Sequence, residues 1–432
     1  MDKYAEKRLL HTPEGVRDIY GRELLKKLTV QDKLMHTFAS FGYKNIQTPV
    51  FEFFDVFGSE IGTTRSNELY KFFDKEGNTL VLRPDFTPSM ARCAAKYFME
   101  EDIPVRFSYC GNVFTNTSNL QGKLKEMTET GVELIGDGHR SADAELIHMA
   151  VSALKAAGLK EFQICIGEIE FFKGLCEEAG LSDEMVEQVR ELISNKNYFG
   201  VEEYILEAGI KKEKAESFLK VVELFGSYEC LQEAKLIVKN EMSLKAVGRL
   251  QELYETLEEL GDEKYISFDL GMVSNYNYYT GIIFKAYTYG VGDTVLRGGR
   301  YDKLLSHFGK EAPAIGFMIL VDDLMIALDS QKLSPDEEKY IDYLLYDKGM
   351  AKKAGKLADK MRKDGLCIEC VQFATGKKID DYIAYGYHNM VSRLYHLTNE
   401  EKVLTYDLAD DSPDGLPVDN ADLKAFTWRK KA

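Results

Sequence analysis

Hydrophobic positions change their period along this chain, and the changes predict its elements. In residues 22–41, Leu24, Leu25, Leu28, Leu34, Met35 and Phe38 recur close to helical spacing, and Gly42 stands where such a helix would stop. Residues 45–54 read as a strand carrying Pro49, which suggests an edge or an interface position. Residues 70–82 read as a hairpin that turns at Lys75-Glu76-Gly77-Asn78. Two prolines hold Leu82-Arg83-Pro84-Asp85-Phe86-Thr87-Pro88 extended, and Ser89 is placed to cap a helix reaching Met99. Residues 109–114 and 131–135 are short apolar runs joined by a polar loop over 115–125. A helix over 141–157, ended at Gly158, and a strand over 162–169 follow.

From residue 171 to 261 the period is helical throughout. Ser182 is placed to start one helix, and Gly209, Gly226 and Gly261 to stop others. Strands return over 265–273, 278–287 and 294–297, then Gly298-Gly299-Arg300-Tyr301-Asp302 and a helix to His307. A strand over 314–320 and a helix over 322–328 close this part. Beyond Ser334-Pro335-Asp336, strands over 340–346, 366–373, 391–396 and 403–408 with a helix over 350–363 make a small α/β unit. The expected division is a β-rich core from residues 1–170 and 262–330, a helical insertion at 171–261, an α/β domain at 336–410 and a loose polar tail at 411–432.

Composition narrows the classes. With 432 residues, 45% of them hydrophobic, the chain can form two or three domains with cores of their own. A formal net charge of −16 argues against a protein whose main task is to hold a nucleic-acid backbone, although local basic patches remain open. The start, MDKYAEKRLLHTPEG, lacks the apolar region of a signal peptide, and no apolar run is long enough to span a bilayer. The seven scattered cysteines fit a reducing cytoplasm. Cys367 and Cys370 form a CxxC, but LCIECVQF reads as a strand, which would turn the two thiols to opposite faces. No metal-ligand spacing, phosphate-binding glycine loop or catalytic triad stands out.

The chemistry gathers around YCGNVFTNTSNLQGKLKEMTETGVELIG, residues 109–136. Glu129 and Glu133 are an even number apart, so on a strand they share a face. Like charges so placed suggest a site for a cation or an amine. Glu133 sits inside an apolar run, where a buried carboxylate needs a partner. Glu126 fits a solvated face equally well. Gly298-Gly299 permits close approach of the backbone, which tight packing would also require. Tyr276, Tyr278 and Tyr279 have core positions as their ordinary reading, with a polar pocket wall as the alternative.

These segments, in this order, resemble the class II histidyl-tRNA synthetase core. HTPEGVRD is similar to that family's N-terminal signature, LRPDFT to its LRPEGT, and residues 109–136 to its motif 2. MVSNYNYYTGIIF is similar to its histidine-specific strand, and GGRYDKL with PAIGFMILVDDL to its last strands and motif 3. The likeness covers residues 11–328 and implies an α+β fold: a class II antiparallel sheet with flanking helices, a helical insertion and a small C-terminal α/β unit. It implies that histidine is held by Asp85, Thr87, Glu129 and Glu133, with Tyr279 and Tyr301 facing the imidazole. Glu129 stands where synthetases usually carry glutamine.

Three departures decide the expected activity. The family's ATP-clamping arginines fall at Thr115, Ser274 and Asp323 here. Loss of one such donor costs ~3 kcal/mol, or ~10²-fold in rate, so losing three should leave negligible adenylation. A synthetase core with its amino-acid pocket kept and its ATP clamp lost resembles the regulatory subunits of ATP phosphoribosyltransferase. That likeness implies a partner, the short-form catalytic subunit, and histidine as feedback effector. It further implies a self-dimer within a hetero-oligomer, a cytoplasmic location, and neither cofactor nor catalytic residues of its own. A divergent histidine-activating synthetase and a free histidine sensor are the alternatives.

Overall fold

The computed structural model describes residues 9–58, 64–117, 124–273, 278–335, 341–408 and 416–428. The chain divides into two units, Met1–Asp18 with Lys27–Pro335, and Ile19–Lys26 with Asp336–Ala432.

Helix α1 (Gly21–Ser40), which belongs to the first unit from Lys27 onward, buries Lys27, Val30, Leu34 and Phe38, three and four residues apart, and leaves Leu28 exposed. The single strand expected over 45–54 is instead two, β1 (Lys44–Asn45) and β2 (Phe51–Phe53), in different sheets. Pro49 lies between them, and without an N–H it cannot carry a ladder through. Strands β3 (Lys71–Phe73) and β4 (Thr79–Leu82) form the hairpin, closed where Asp74 accepts from Asn78 N at 2.8 Å. Helix α2 (Thr87–Tyr97) starts ahead of Ser89, which is buried in its first turn and caps nothing. Pro88 is at home in that turn, because its missing N–H would be unused there.

Strands β5 (Val105–Phe114) and β6 (Glu126–Ile135) are longer than their apolar runs and pair in continuous register from Val105↔Ile135 to Phe114↔Glu126. Helix α3 (Arg140–Ala157) ends at Gly158, whose φ of 111° only glycine adopts freely. Strand β7 (Gln163–Glu168) then leads into the helical block of α4 (Ile169–Ala179), α5 (Asp183–Ser194), α6 (Tyr198–Glu207), α7 (Lys212–Val222), α8 (Tyr228–Ile237) and α9 (Glu241–Glu259). Ser182 caps α5 through Met185 N. Gly226, expected as a helix stop, lies instead in a short strand, β8 (Phe225–Gly226), that pairs with β9 (Ile266–Asp269). The apolar faces of the block run into one core with the sheet, joining Val189, Val201 and Leu250 to Phe38, Leu134 and Phe284.

Strands β10 (Ile282–Tyr287), β11 (Leu296–Arg300) and β12 (Ala314–Leu320) precede helix α10 (Val321–Ser330). β11 continues through Gly298-Gly299, and the helix expected to reach His307 is a 3-10 turn at Leu304–Phe308. Among the described residues the main sheet has nine strands, in the order β1-β5-β6-β12-β11-β10-β7-β9-β8. Its centre, β5 to β7, is antiparallel, while β1 joins β5 and β9 joins β7 in parallel. The helical block fills the crossover from β7 to β9 that a parallel pair requires. A three-stranded sheet, β2-β4-β3, completes this unit.

The second unit holds β13 (Ile341–Tyr346), α11 (Ala351–Lys363), β14 (Cys367–Gln372), α12 (Ile379–His388), β15 (Val391–Leu397), β16 (Lys402–Asp407) and β17 (Asp419–Asp422). Its sheet runs β14-β13-β15-β16-β17. Helix α12 is absent from the expected elements although Ile379, Tyr382, Ile383 and Tyr387 recur at helical spacing and pack into one cluster, since its short stripe is made largely of tyrosines that stay partly exposed. The tail is not loose over its described part: β17 pairs with β16, and Phe426 is buried beside Trp428. Residues 409–415 and 429–432 of that tail lie outside the described residues.

Gly131, at the middle of β6, is fixed by its neighbours. A Cβ there would stand 2.4 Å from the Phe317 carbonyl oxygen and 2.6 Å from the Tyr109 hydroxyl. Gly131→Ala is therefore expected to destabilise the chain by about 3 kcal/mol, the upper range of overpacking. Denaturant unfolding followed by circular dichroism measures it.

Candidate functional site

The site grows from the middle of the main sheet. Glu129 and Glu133 leave the same face of β6, and both are buried. Glu133 lies opposite Phe107 on β5 and Gly316 on β12. A Cβ on Gly316 would meet Glu133 Oε2 at 1.8 Å, so glycine makes room for the carboxylate. Gly299 does the same for the ring of Tyr279, which its Cβ would approach to 2.7 Å. The pair Gly298-Gly299 thus serves close approach within the strand.

The turn between β4 and α2 brings in a second wall. Arg83 donates to the carbonyl oxygens of Asn112 at 2.9 Å and Thr48 at 3.1 Å, and its guanidinium lies 3.9 Å over the Phe86 ring. Phe86 in turn stacks on Tyr109 at 4.2 Å. With the turn pinned, Thr87 Oγ1 donates to Glu133 Oε1 at 2.9 Å. The Tyr301 hydroxyl donates to Glu133 Oε2. Tyr278 packs on Tyr279 at 4.6 Å and meets Tyr301 edge-on at 5.8 Å. Asp85, Thr87, Glu129, Glu133, Tyr279 and Tyr301, the six residues chosen from the sequence, line one cavity. Tyr109, Tyr278 and Arg297 share its walls.

Burial sets the electrostatics. It pushes the Glu133 carboxyl up to about 8, against the pull of the Tyr301 and Thr87 hydrogen bonds, and Asp85 raises it further. Glu129 is held well above the usual carboxylate range by burial and then by Asp85, with Arg297 and Arg83 opposing. Its Oε2 is buried with no hydrogen-bond partner among the described residues. The Tyr109 and Tyr301 hydroxyls are pushed up by burial as well, so they stay protonated and able to donate. Three acids therefore share a cavity that a bound cation would relieve. Glu126, by contrast, is half-buried and accepts from Asn112 Nδ2 at 2.7 Å. No group of three or more His, Cys, Asp or Glu residues is placed to hold a metal ion among the described residues.

Two of the three positions matched to an ATP clamp lie elsewhere. Thr115 follows β5, and its N–H donates to Lys125 O at 2.9 Å. Asp323 sits in the first turn of α10. Its neighbour Asp322 is buried and accepts from Lys27 Nζ and from Thr128 N, each at 2.7 Å, which ties α10 to α1 and β6. Neither Thr115 nor Asp323 lines the cavity. Ser274 and Tyr276 lie outside the described residues. Arg297 was not foreseen. Its two-residue spacing from Gly299 on β11 puts both on one face, a signal that the sequence does carry.

Such a sheet, with helices on it and a polar cavity at its centre, is the class II aminoacyl-tRNA synthetase core of the histidyl type. The family model described as histidyl-tRNA synthetase matches residues 15–324. A histidyl-tRNA synthetase from a Nostoc species shares the fold, with a TM-score of 0.76 at 18% identity over 94% of this chain and 96% of that one. A Bacillus halodurans structure described as an ATP phosphoribosyltransferase regulatory subunit/histidyl-tRNA synthetase has a TM-score of 0.81 at 30% identity, over 90% of this chain and 99% of that one. Proteins named ATP phosphoribosyltransferase regulatory subunit are similar over most of their length. The one from Acetivibrio thermocellus is 42% identical over 83% of this chain and 86% of its own. The one from Ruminiclostridium cellulolyticum is 40% identical over 92% and 95%. The chain belongs to the family of ATP phosphoribosyltransferase regulatory subunits. No helix among the described residues is long and apolar enough to cross a membrane.

The raised Glu133 carboxyl gives stability a sign with pH. Between the ordinary carboxyl value of 4.5 and about 8, the folded chain holds a proton that the unfolded chain has lost. This stabilisation is complete below 4.5 and is lost as pH rises through about 8, at up to ~1.4 kcal/mol per pH unit. Thermal melts of Glu133→Gln should fall less steeply than those of the unaltered chain across that window.

Proposed function

We propose that this chain is the noncatalytic regulatory subunit of an ATP phosphoribosyltransferase. It supports a short catalytic subunit in the cytoplasm and carries histidine feedback on the first step of histidine biosynthesis. The observation that carries the effector reading is the set of Asp85, Glu129 and Glu133 around one cavity with Tyr279 and Tyr301. The carboxylates suit an α-ammonium group. Glu133 with tyrosine hydroxyls suits an imidazole, whose two nitrogens donate or accept according to tautomer. Thr115 and Asp323, where an active synthetase has arginines, support the lack of adenylation chemistry; an acid at the second position would repel phosphate. The names of the relatives support the catalytic partner, and the self-dimer within a mixed oligomer belongs to the same proposal.

A second reading, a histidine-activating synthetase, is favoured by one observation: Arg297 supplies a cation at the cavity wall. Pyrophosphate exchange with histidine and ATP separates the two. The regulatory reading expects no exchange above background, and robust exchange would overturn it. In the assembled complex, feedback corresponds to coupling of ~1–3 kcal/mol between effector and catalytic sites. Glu133→Gln should raise the histidine concentration for half-inhibition about tenfold or more, with assembly retained. Unchanged inhibition would place the effector elsewhere.

A further inference from the structure

Among the described residues, Arg297 is the one cationic residue that lines the cavity. It lies across the sheet from the acids. In the ladder, Gly131 of β6 faces Met318 of β12, and Met318 faces Arg297 of β11. Arg297 therefore stands two strands, ~10 Å, from the row that separates Glu129 from Glu133. The acids are almost wholly buried, whereas the Arg297 side chain is 30% exposed, so acidic side chains occupy the depth and the cationic one the rim. Lys285, directly across from Arg297 on β10, is half-buried on the same face and adds to the positive field. Arg297 Nε donates to Thr294 Oγ1 at 2.7 Å, and Nη2 pairs with Asp293 Oδ2 at 3.0 Å. Those bonds fix the guanidinium plane, so little side-chain freedom remains to be lost when a ligand arrives.

A cavity with acids at one end and a held arginine at the other is polarised for a zwitterion. We infer that Arg297 takes the α-carboxylate of the ligand, which makes the site selective for the free amino acid over derivatives that lack that group. The inference rests on the histidine-binding reading above. It assigns recognition of the carboxylate to a residue outside the six that receive the ammonium and the ring. An arginine suits the task, because its planar fork of donors matches a carboxylate in geometry and in charge. It also explains how a core without the clamp positions at Thr115 and Asp323 can still hold the anionic end of an amino acid.

The test is calorimetric titration of the purified full-length chain with L-histidine, L-histidinol and histamine. The last two keep the imidazole and the amine and lack the carboxylate. In the unaltered chain histidine should bind about tenfold to a hundredfold more tightly than either. Arg297→Gln should remove that preference by weakening histidine alone, and Arg297→Lys should restore part of it. Retained histidinol binding in Arg297→Gln shows that the cavity still forms. Equal binding of all three ligands to the unaltered chain, or equal loss of all three in both variants, overturns the assignment with the effector reading intact. No histidine binding to the unaltered chain overturns the effector reading itself, and this inference with it.

Discussion

Carboxylates buried side by side are the constraint around which this molecule is arranged. Taking Glu133 and Glu129 out of water costs free energy, and Asp85 beside them adds repulsion. The fold moderates this cost without removing it. Thr87 and Tyr301 bond Glu133, Arg83 and Arg297 draw on Glu129, and glycines at 131, 299 and 316 leave space that side chains would close. What remains is a cavity whose Glu133 carboxyl holds its proton at neutral pH and would give it up to a cation. In the proposed function, a ligand would supply what folding leaves unsatisfied there.

The proposed reading asks the same frame to bind without performing chemistry. The synthetase-like core supplies a rigid sheet, and β5, β6, β11 and β12 set the cavity by register alone. A phosphoryl-handling enzyme would need cations fixed where charge develops. Here Thr115 is tied into the loop by its backbone, and Asp322, beside Asp323, is committed to Lys27 and Thr128. The start of α10 is thus used to hold helix and strand together.

Much of this was legible in the sequence, for identifiable reasons. The even spacing of Glu129 and Glu133, the ordered segments and the glycine at the end of α3 are local signals, and the chain obeys them. The failures arose where local signals competed with packing. Pro49 broke a ladder that its apolar neighbours seemed to continue, and Ser89 was drawn into a buried first turn led by Pro88. Gly226 entered a strand because β9 offered it a partner. Arg297 escaped notice because one basic residue at the end of an apolar run looks like any solvated charge. Only the order of strands, which sets β12 between β6 and β11, brings it to the acids.

The central claim is that a cation displaces a proton from the buried acids. Titration of the full-length chain with L-histidine at pH 7, in two buffers of different ionisation enthalpy, counts that proton. With Glu133 at about 8, its ionisation on binding contributes close to one proton per histidine, and Glu133→Gln should release about one proton fewer than the unaltered chain. Tight binding with no proton released, or the same release from the variant, would contradict the account.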